Sequence, residues 1–98
     1  MLKEPLKPAD AKGRIRSILS EGETRFSRHA IEEMAEDDLD PLDCVNVLRG
    51  GVVQAGEMNL KDGSWRYRVQ TRSVTVVVAF RSERELVIVT AWRNTRRR

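Results

Sequence analysis

At Gly50-Gly51 the chain changes its hydrophobic period. Before that pair, apolar residues recur three and four positions apart; after it they alternate or run together as β-branched residues. Asp10 is placed to cap a first helix carrying Ile15, Ile18 and Leu19, with Gly22 as its stop. A short segment at 24–26 leads to Ser27, whose hydroxyl can cap a second helix with Ala30, Ile31, Met34 and Ala35 on its face. Asp40, Pro41 and Asp43 start a third, short helix whose expected buried side is Leu42, Val45 and Leu48. Strands are expected over 52–58, 65–71, 74–80 and 86–92, joined by short turns that make an antiparallel meander. Helices first and strands afterwards predict an α+β fold: two to three N-terminal helices on one face of a four-stranded antiparallel sheet.

Length sets the scale of that fold. Ninety-eight residues make one domain, which buries roughly 60–65% of its unfolded surface and has no room for a dinucleotide-binding domain. The expected organisation is an extended leader over residues 1–8, a single α+β domain over 9–95 and a basic tail over 96–98. Only 5% of residues are aromatic, so the core must come from Val, Ile, Leu and Ala. No apolar run approaches the roughly 20 residues of a membrane span, the first residues lack the apolar stretch of a secretory signal, and Cys44 is a lone cysteine expected to be a small buried apolar group. These features predict a cytoplasmic protein.

Charge divides the chain at the same place as periodicity. Residues 1–64 carry 9 Lys and Arg against 13 Asp and Glu, whereas residues 65–98 carry 9 Arg and 2 Glu. Guanidinium forks suit phosphate and can stack on bases. Nucleic acid, an acidic protein partner and simple solubility all remain open uses of such a half. Strand alternation sharpens the reading: Arg66, Arg68, Gln70 and Arg72 share one side, opposite Trp65, Tyr67, Val69 and Thr71. The arginines are therefore expected to face out and Trp65 to face the core. On the last strand Thr90, Trp92 and Asn94 share a side and Arg93 takes the other, leaving Trp92 either a stacking ring or a lid over the core. Arg72, Arg81 and Trp92 complete, with Arg66, Arg68 and Arg93, the candidate nucleic-acid-binding set.

His29, the only histidine, falls in the first turn of the second helix. An imidazole can exchange protons near neutral pH, and cutting single-stranded RNA without a metal needs proton transfer plus positive charge on the phosphorane-like transition state. A histidine at a helix start can equally pack at a helix–sheet junction. One His, one Cys and irregular acids match no zinc or calcium spacing, and no phosphate-cradling glycine loop occurs, so neither a metal nor a cofactor is expected. The acids at 32, 33, 36, 37, 38, 40 and 43 read as solvated helix faces and helix-start charges.

The element order, together with R28-H29-A30, M34, L48-R49-G50, W65-R66-Y67-R68 and V89-T90-A91-W92-R93, resembles a small bacterial domain family of the RelE/ParE-like toxin superfamily. That family is related to the MqsR and BrnT toxins and is often encoded beside YgiT-type zinc-finger antitoxins. The resemblance covers about residues 24–93 and implies N-terminal helices on an antiparallel sheet whose open face cuts mRNA without a metal, alone or on the ribosome. It implies a toxin-like endoribonuclease of a type II toxin-antitoxin system, with His29, Arg66 or Arg68, Thr90 and Arg93 as catalytic positions. The implied partners are mRNA or other single-stranded RNA and a cognate antitoxin; apart from the resemblance, an exposed edge strand, 52–58 or 86–92, leaves a homodimer open. The chain departs from the family's H-A-x-x-R-M-x-x-R helix by carrying Glu33 and Asp37, which points to the alternative of an inactive relative that binds a protein or RNA through its basic sheet face.

Overall fold

The computed structural model describes residues 2–94. Helix α1 spans Pro8–Glu21. Proline at its start costs nothing, since the first helical N–H has no partner within the helix. Lys7, not Asp10, occupies the N-cap position, and Asp10 lies inside the first turn, where its charge still faces the positive helix end. Ala11, Ile15 and Ile18 form the buried stripe, with Leu19 packed at its margin. The Gly22 amide ends the helix by donating to the Ile18 carbonyl at 2.8 Å.

The segment expected as a connector is a strand. In β1 (Glu23–Phe26), residues pair in parallel with β6 (Glu85–Arg93), Glu23 opposite Glu85 and Phe26 opposite Ile88. Four residues are too few to display a period, and the pairing partner lies 62 positions away, so nothing local announces it. Gly22 admits this pairing because a Cβ there would stand 2.2 Å from the Arg84 carbonyl oxygen, the atom that accepts the Glu23 amide at 2.8 Å.

Helix α2 (Arg28–Glu36) begins as the sequence indicates: the Ser27 hydroxyl accepts the Ala30 amide at 3.0 Å. Its buried residues are Ala30 and Met34, while Ile31 is 56% exposed and Ala35 is also in solvent. Helix α3 (Pro41–Gly50) carries a reciprocal cap, the Asp40 carboxylate taking the Asp43 amide and the Asp43 carboxylate taking the Asp40 amide. Its apolar side is turned from the expected one: Cys44, Val47 and Leu48 are buried, Val45 is half-buried and Leu42 is 64% exposed.

The expected strand over 52–58 is two short pieces, β2 (Val52–Val53) and β3 (Glu57–Met58), each antiparallel to β4 (Trp65–Gln70). Between them Gly56 lies under the Tyr67 ring, so close that a Cβ would meet Cε2 at 2.8 Å. With β5 (Val74–Ser82) the path reads β1-β6-β5-β4-β2, β3 pairing off it on β4. The fold is α+β with helices on a sheet, as the sequence predicts, but the sheet is mixed and has more than four strands.

One apolar cluster joins the helices to the inner face of the sheet. Buried residues of α1, α2 and α3 meet Tyr67, Val69, Val76, Val78, Phe80, Leu86, Ile88 and Ala91. The Tyr67 and Phe80 rings tilt against each other with centroids 5.3 Å apart, a pairing worth about 0.5–1.5 kcal/mol beyond area burial. The Tyr67 hydroxyl accepts the Leu6 amide at 2.9 Å and donates to the Glu4 carboxylate at 3.0 Å, tying residues before α1 to the core. Burial, with Glu4 adding to it and the Leu6 amide opposing, pushes that phenol up to about 12. No helix among the described residues is long and apolar enough to cross a membrane.

Candidate nucleic-acid interface

Because the helices join the cluster from the inner side, the outer face of the sheet displays alternate residues of β4 and β5 and, past the irregularity at Val89 that leaves both Ile88 and Ala91 inside, Thr90 and Trp92 of β6. Cross-strand register builds that face in rows. Arg68, Val77 and Thr90 stand in one row, and Gln70, Thr75 and Trp92 in the next. Neighbouring strands lie about 4.8 Å apart, so Arg68 and Thr90 flank Val77 with their backbones about 10 Å apart. Arg66 precedes Arg68 by two residues and shares its face. The alternation does place the arginines opposite a buried Tyr67 and Val69, and Trp65 packs against the apolar cluster.

The two β4 guanidinium groups differ. Arg66 is partly covered, reaches the Asp62 carboxylate at 3.4 Å through one terminal nitrogen, and keeps its buried Nε without a hydrogen-bond partner. The Ser64 hydroxyl and amide, with the Arg66 charge adding to them, hold Asp62 below the usual carboxylate range. Arg68 is exposed and its guanidinium carbon sits 5.7 Å from the centroid of the Trp92 ring. Among the described residues no carboxylate pairs with Arg68. On β1 the comparable Arg25 is already neutralised, at 2.9 Å from Glu23 and 2.8 Å from Glu85.

Arg93 faces away from this group, towards α2. Its Nε donates to the Asp37 carbonyl at 2.7 Å and its terminal nitrogen to the Asp38 carbonyl at 2.9 Å, while its backbone amide donates to the Asp37 carboxylate at 2.8 Å. Asp38 takes the left-handed conformation, φ 55°, that turns its carbonyl out of the helix end. The acid that departs from the family pattern at position 37 therefore grips the last strand. Sequence spacing of 56 residues carries no hint of that clasp.

His29 is exposed on the first turn of α2. That turn is fastened to β6: the Ser27 amide donates to the Ile88 carbonyl at 3.0 Å and the Ser27 hydroxyl to the Val89 carbonyl at 2.8 Å. The histidine thus stands two residues from an anchor at Val89, next in sequence to Thr90 on the outer face. Arg72 is exposed in the turn between β4 and β5, and Arg81 is exposed seven residues beyond Val74, about 23 Å along the strand. The structure therefore groups Arg66, Arg68, Thr90 and Trp92, sets His29 at the β6 side and Arg72 at one end, and separates Arg81 and Arg93 from them.

One set of residues was not singled out from sequence. The fully buried Thr75 hydroxyl accepts the Gln70 amide at 3.2 Å and meets the Asn94 amide oxygen at 2.5 Å; Asn94 in turn donates to the Thr71 carbonyl at 3.0 Å. This polar ladder pins the strand ends beside Trp92. Only the co-location of Gln70 and Asn94 on outward positions hinted at it.

Among the described residues, no three His, Cys, Asp or Glu side chains converge as a metal-binding group. Cys44 is buried, and burial, reinforced by Asp43 and Asp40, pushes its thiol up to about 11.

The family described as Domain of unknown function (DUF4258) matches residues 26–93, from the end of β1 to the end of β6. The chain belongs to the DUF4258 family. No curated protein and no solved structure matches it. The DUF4258 match contains His29, the two β4 arginines, Thr90, Trp92 and the Asp37–Arg93 clasp, and leaves α1 outside, although α1 supplies Ala11, Ile15 and Ile18 to the shared core.

Proposed function

We propose that this DUF4258 protein is a toxin-like, metal-independent endoribonuclease whose open sheet face holds single-stranded RNA. The observation that carries the reading is the grouping of Arg66, Arg68, Thr90 and Trp92 on the sheet face turned away from the apolar cluster that the helices join, with the exposed His29 at its β6 side. Arg66 and Arg68 hold the scissile phosphate and stabilise the charge that builds on it. His29 takes the proton from a ribose 2′-hydroxyl, whose oxygen bonds to the adjacent phosphorus; the 5′-oxygen leaves with its electron pair and takes a proton from water, and His29 returns its own proton to solvent. The products are a 2′,3′-cyclic phosphate and a 5′-hydroxyl end. Thr90 offers a hydroxyl to the phosphate from the row shared with Arg68. Arg93 serves by fastening α2, and with it His29, to β6. A protein partner of acidic character, such as an antitoxin, would compete for the same arginines.

The test is incubation of purified wild type and His29→Ala with mixed-sequence RNA in EDTA, followed by end-mapping. Cleavage by wild type alone, with cyclic phosphate ends, is the expected result; equal cleavage by both removes His29 from the mechanism. A second reading, binding of RNA without cleavage, is favoured by the acids Glu32, Glu33 and Glu36 on the helix that carries His29. It predicts that wild type retains RNA on a filter at low salt and leaves it intact.

A further inference from the structure

We propose that Trp92 is a seat for one unpaired base of single-stranded RNA, with Arg68 as its displaceable cover. The inference rests on the reading of the sheet face as an RNA surface and adds to it the group that receives a base.

Trp92 is half-buried on the outer face and does not belong to the apolar cluster, whereas Trp65 packs against it. A ring of that size is normally drawn into a core, because it removes more apolar surface from water than any other side chain. Here its cross-strand neighbours are polar instead. Its cross-strand neighbour is Thr75, and beyond that stands Gln70. The ladder through Gln70, Thr75 and Asn94 is closed on itself and on the Thr71 carbonyl, so its polar groups are satisfied and the strand ends beneath the ring are fixed. A fixed floor suits stacking, because a ring that is already held loses little freedom when a base lies on it.

Arg68 completes the seat. Its guanidinium carbon is 5.7 Å from the ring centroid, near the outer limit of roughly 6 Å for a cation over an aromatic face. No carboxylate among the described residues anchors it. Such an exposed contact is weak, and the guanidinium can move to a phosphate while the ring takes the base. Stacked bases are separated by roughly 3.4 Å, so a base on the Trp92 ring takes the space that the guanidinium, 5.7 Å from the ring centroid, now covers. Stacking of this kind tolerates any base, since each has a π face, but it requires an unstacked one, and bases inside a duplex are not available.

The chain has two tryptophans, so Trp65→Phe leaves Trp92 as the single emitter. That variant is titrated with a mixed-sequence eight-nucleotide single-stranded RNA, reading tryptophan emission and, with labelled RNA, fluorescence polarisation. The expected result is saturable quenching that tracks polarisation, with the same RNA annealed to its complement failing to quench. Trp92→Leu is expected to weaken binding by roughly 5- to 150-fold, the span for one base stacked on an aromatic side chain, and Trp92→Tyr, which keeps a ring, by less. If polarisation shows binding while emission is unchanged and Trp92→Leu binds within twofold of wild type, the seat is overturned and the RNA surface stands. If polarisation shows no binding at low salt, both fall. Should Trp92→Leu fail to fold, the quenching experiment alone decides.

Discussion

The RNA reading makes a quantitative claim about salt. Among the described residues, three arginines are placed to meet phosphate on or beside the open face: Arg66, Arg68 and Arg72. Arg25 is excluded by two close carboxylates, at 2.9 and 2.8 Å, and Arg93 by its carbonyl partners at the end of α2, whereas Arg66 counts because it meets only one carboxylate, Asp62, through one terminal nitrogen at 3.4 Å. Each phosphate neutralised on a single strand contributes a slope of roughly −0.7 to log affinity against log salt, so three give about −2. Between 50 and 200 mM salt, affinity for a short single-stranded RNA should then fall by about 20-fold. Arg68→Ala should reduce the slope to about −1.4 and the fall to about 7-fold. Arg93→Ala should leave the slope where it was, although it removes the same formal charge. The assay is polarisation of labelled RNA at four or five salt concentrations, with each variant's fold checked by circular dichroism. A slope unaltered by Arg68→Ala and lowered by Arg93→Ala would show that the phosphate path runs along the α2 side of β6 and not across the open sheet.

Arg93→Ala should instead cost stability: two charge-assisted bonds to the Asp37 and Asp38 carbonyls are lost, worth about 2 kcal/mol together at a partly exposed site, and a thermal melt should show a drop of about 8–16 °C. Gly22→Ala should destabilise by about 1–3 kcal/mol in urea, because its Cβ would meet the Arg84 carbonyl at 2.2 Å, whereas Gly13→Ala, with open space in the interior of α1, should stabilise by about 0.5–1 kcal/mol. Tyr67 binds its proton more tightly folded than unfolded, so its contribution to stability is complete below pH 10, the ordinary phenol value, and is lost as pH rises through about 12. The urea midpoint should fall over that window, and Tyr67→Phe should flatten the fall.

Much of this architecture could be read from the chain because its causes are local. The Ser27 cap, the Asp40 and Asp43 cap, the Gly22 stop and the change of period after Gly51 each act within a few residues. The alternation of Arg66, Tyr67, Arg68 and Val69 decided which side of β4 faces water, since a one-residue slip would have buried the charges. What was not legible depended on distant partners. The strand β1 exists because Arg84 and the start of β6 receive it, and the break between β2 and β3 coincides with the Tyr67 ring lying over Gly56. The apolar side of α3 was misread for a related reason. Leu42 is apolar but points away from the sheet, while the smaller Cys44 and Val47 fit beneath. Arg93 drew attention as a basic residue among basic residues, and only the position of Asp37 and Asp38 shows where its donors go.

The end of β6 joins these two levels. Residues 90 and 92 point to the open face, where Thr90 shares a row with Arg68 and Trp92 meets its guanidinium. Residue 93 points the other way and holds the far end of α2, while the carbonyls of residues 88 and 89 hold its near end through Ser27. One strand therefore carries the surface residues and fastens, at both ends, the helix that bears His29. A substitution on the inner side of β6 need not touch RNA to change what His29 can reach; it acts by loosening α2. The order of effects follows from this division: changes at 90 and 92 should alter RNA binding by more than their effect on stability accounts for, and changes at 93 should alter stability first and the position of His29 with it.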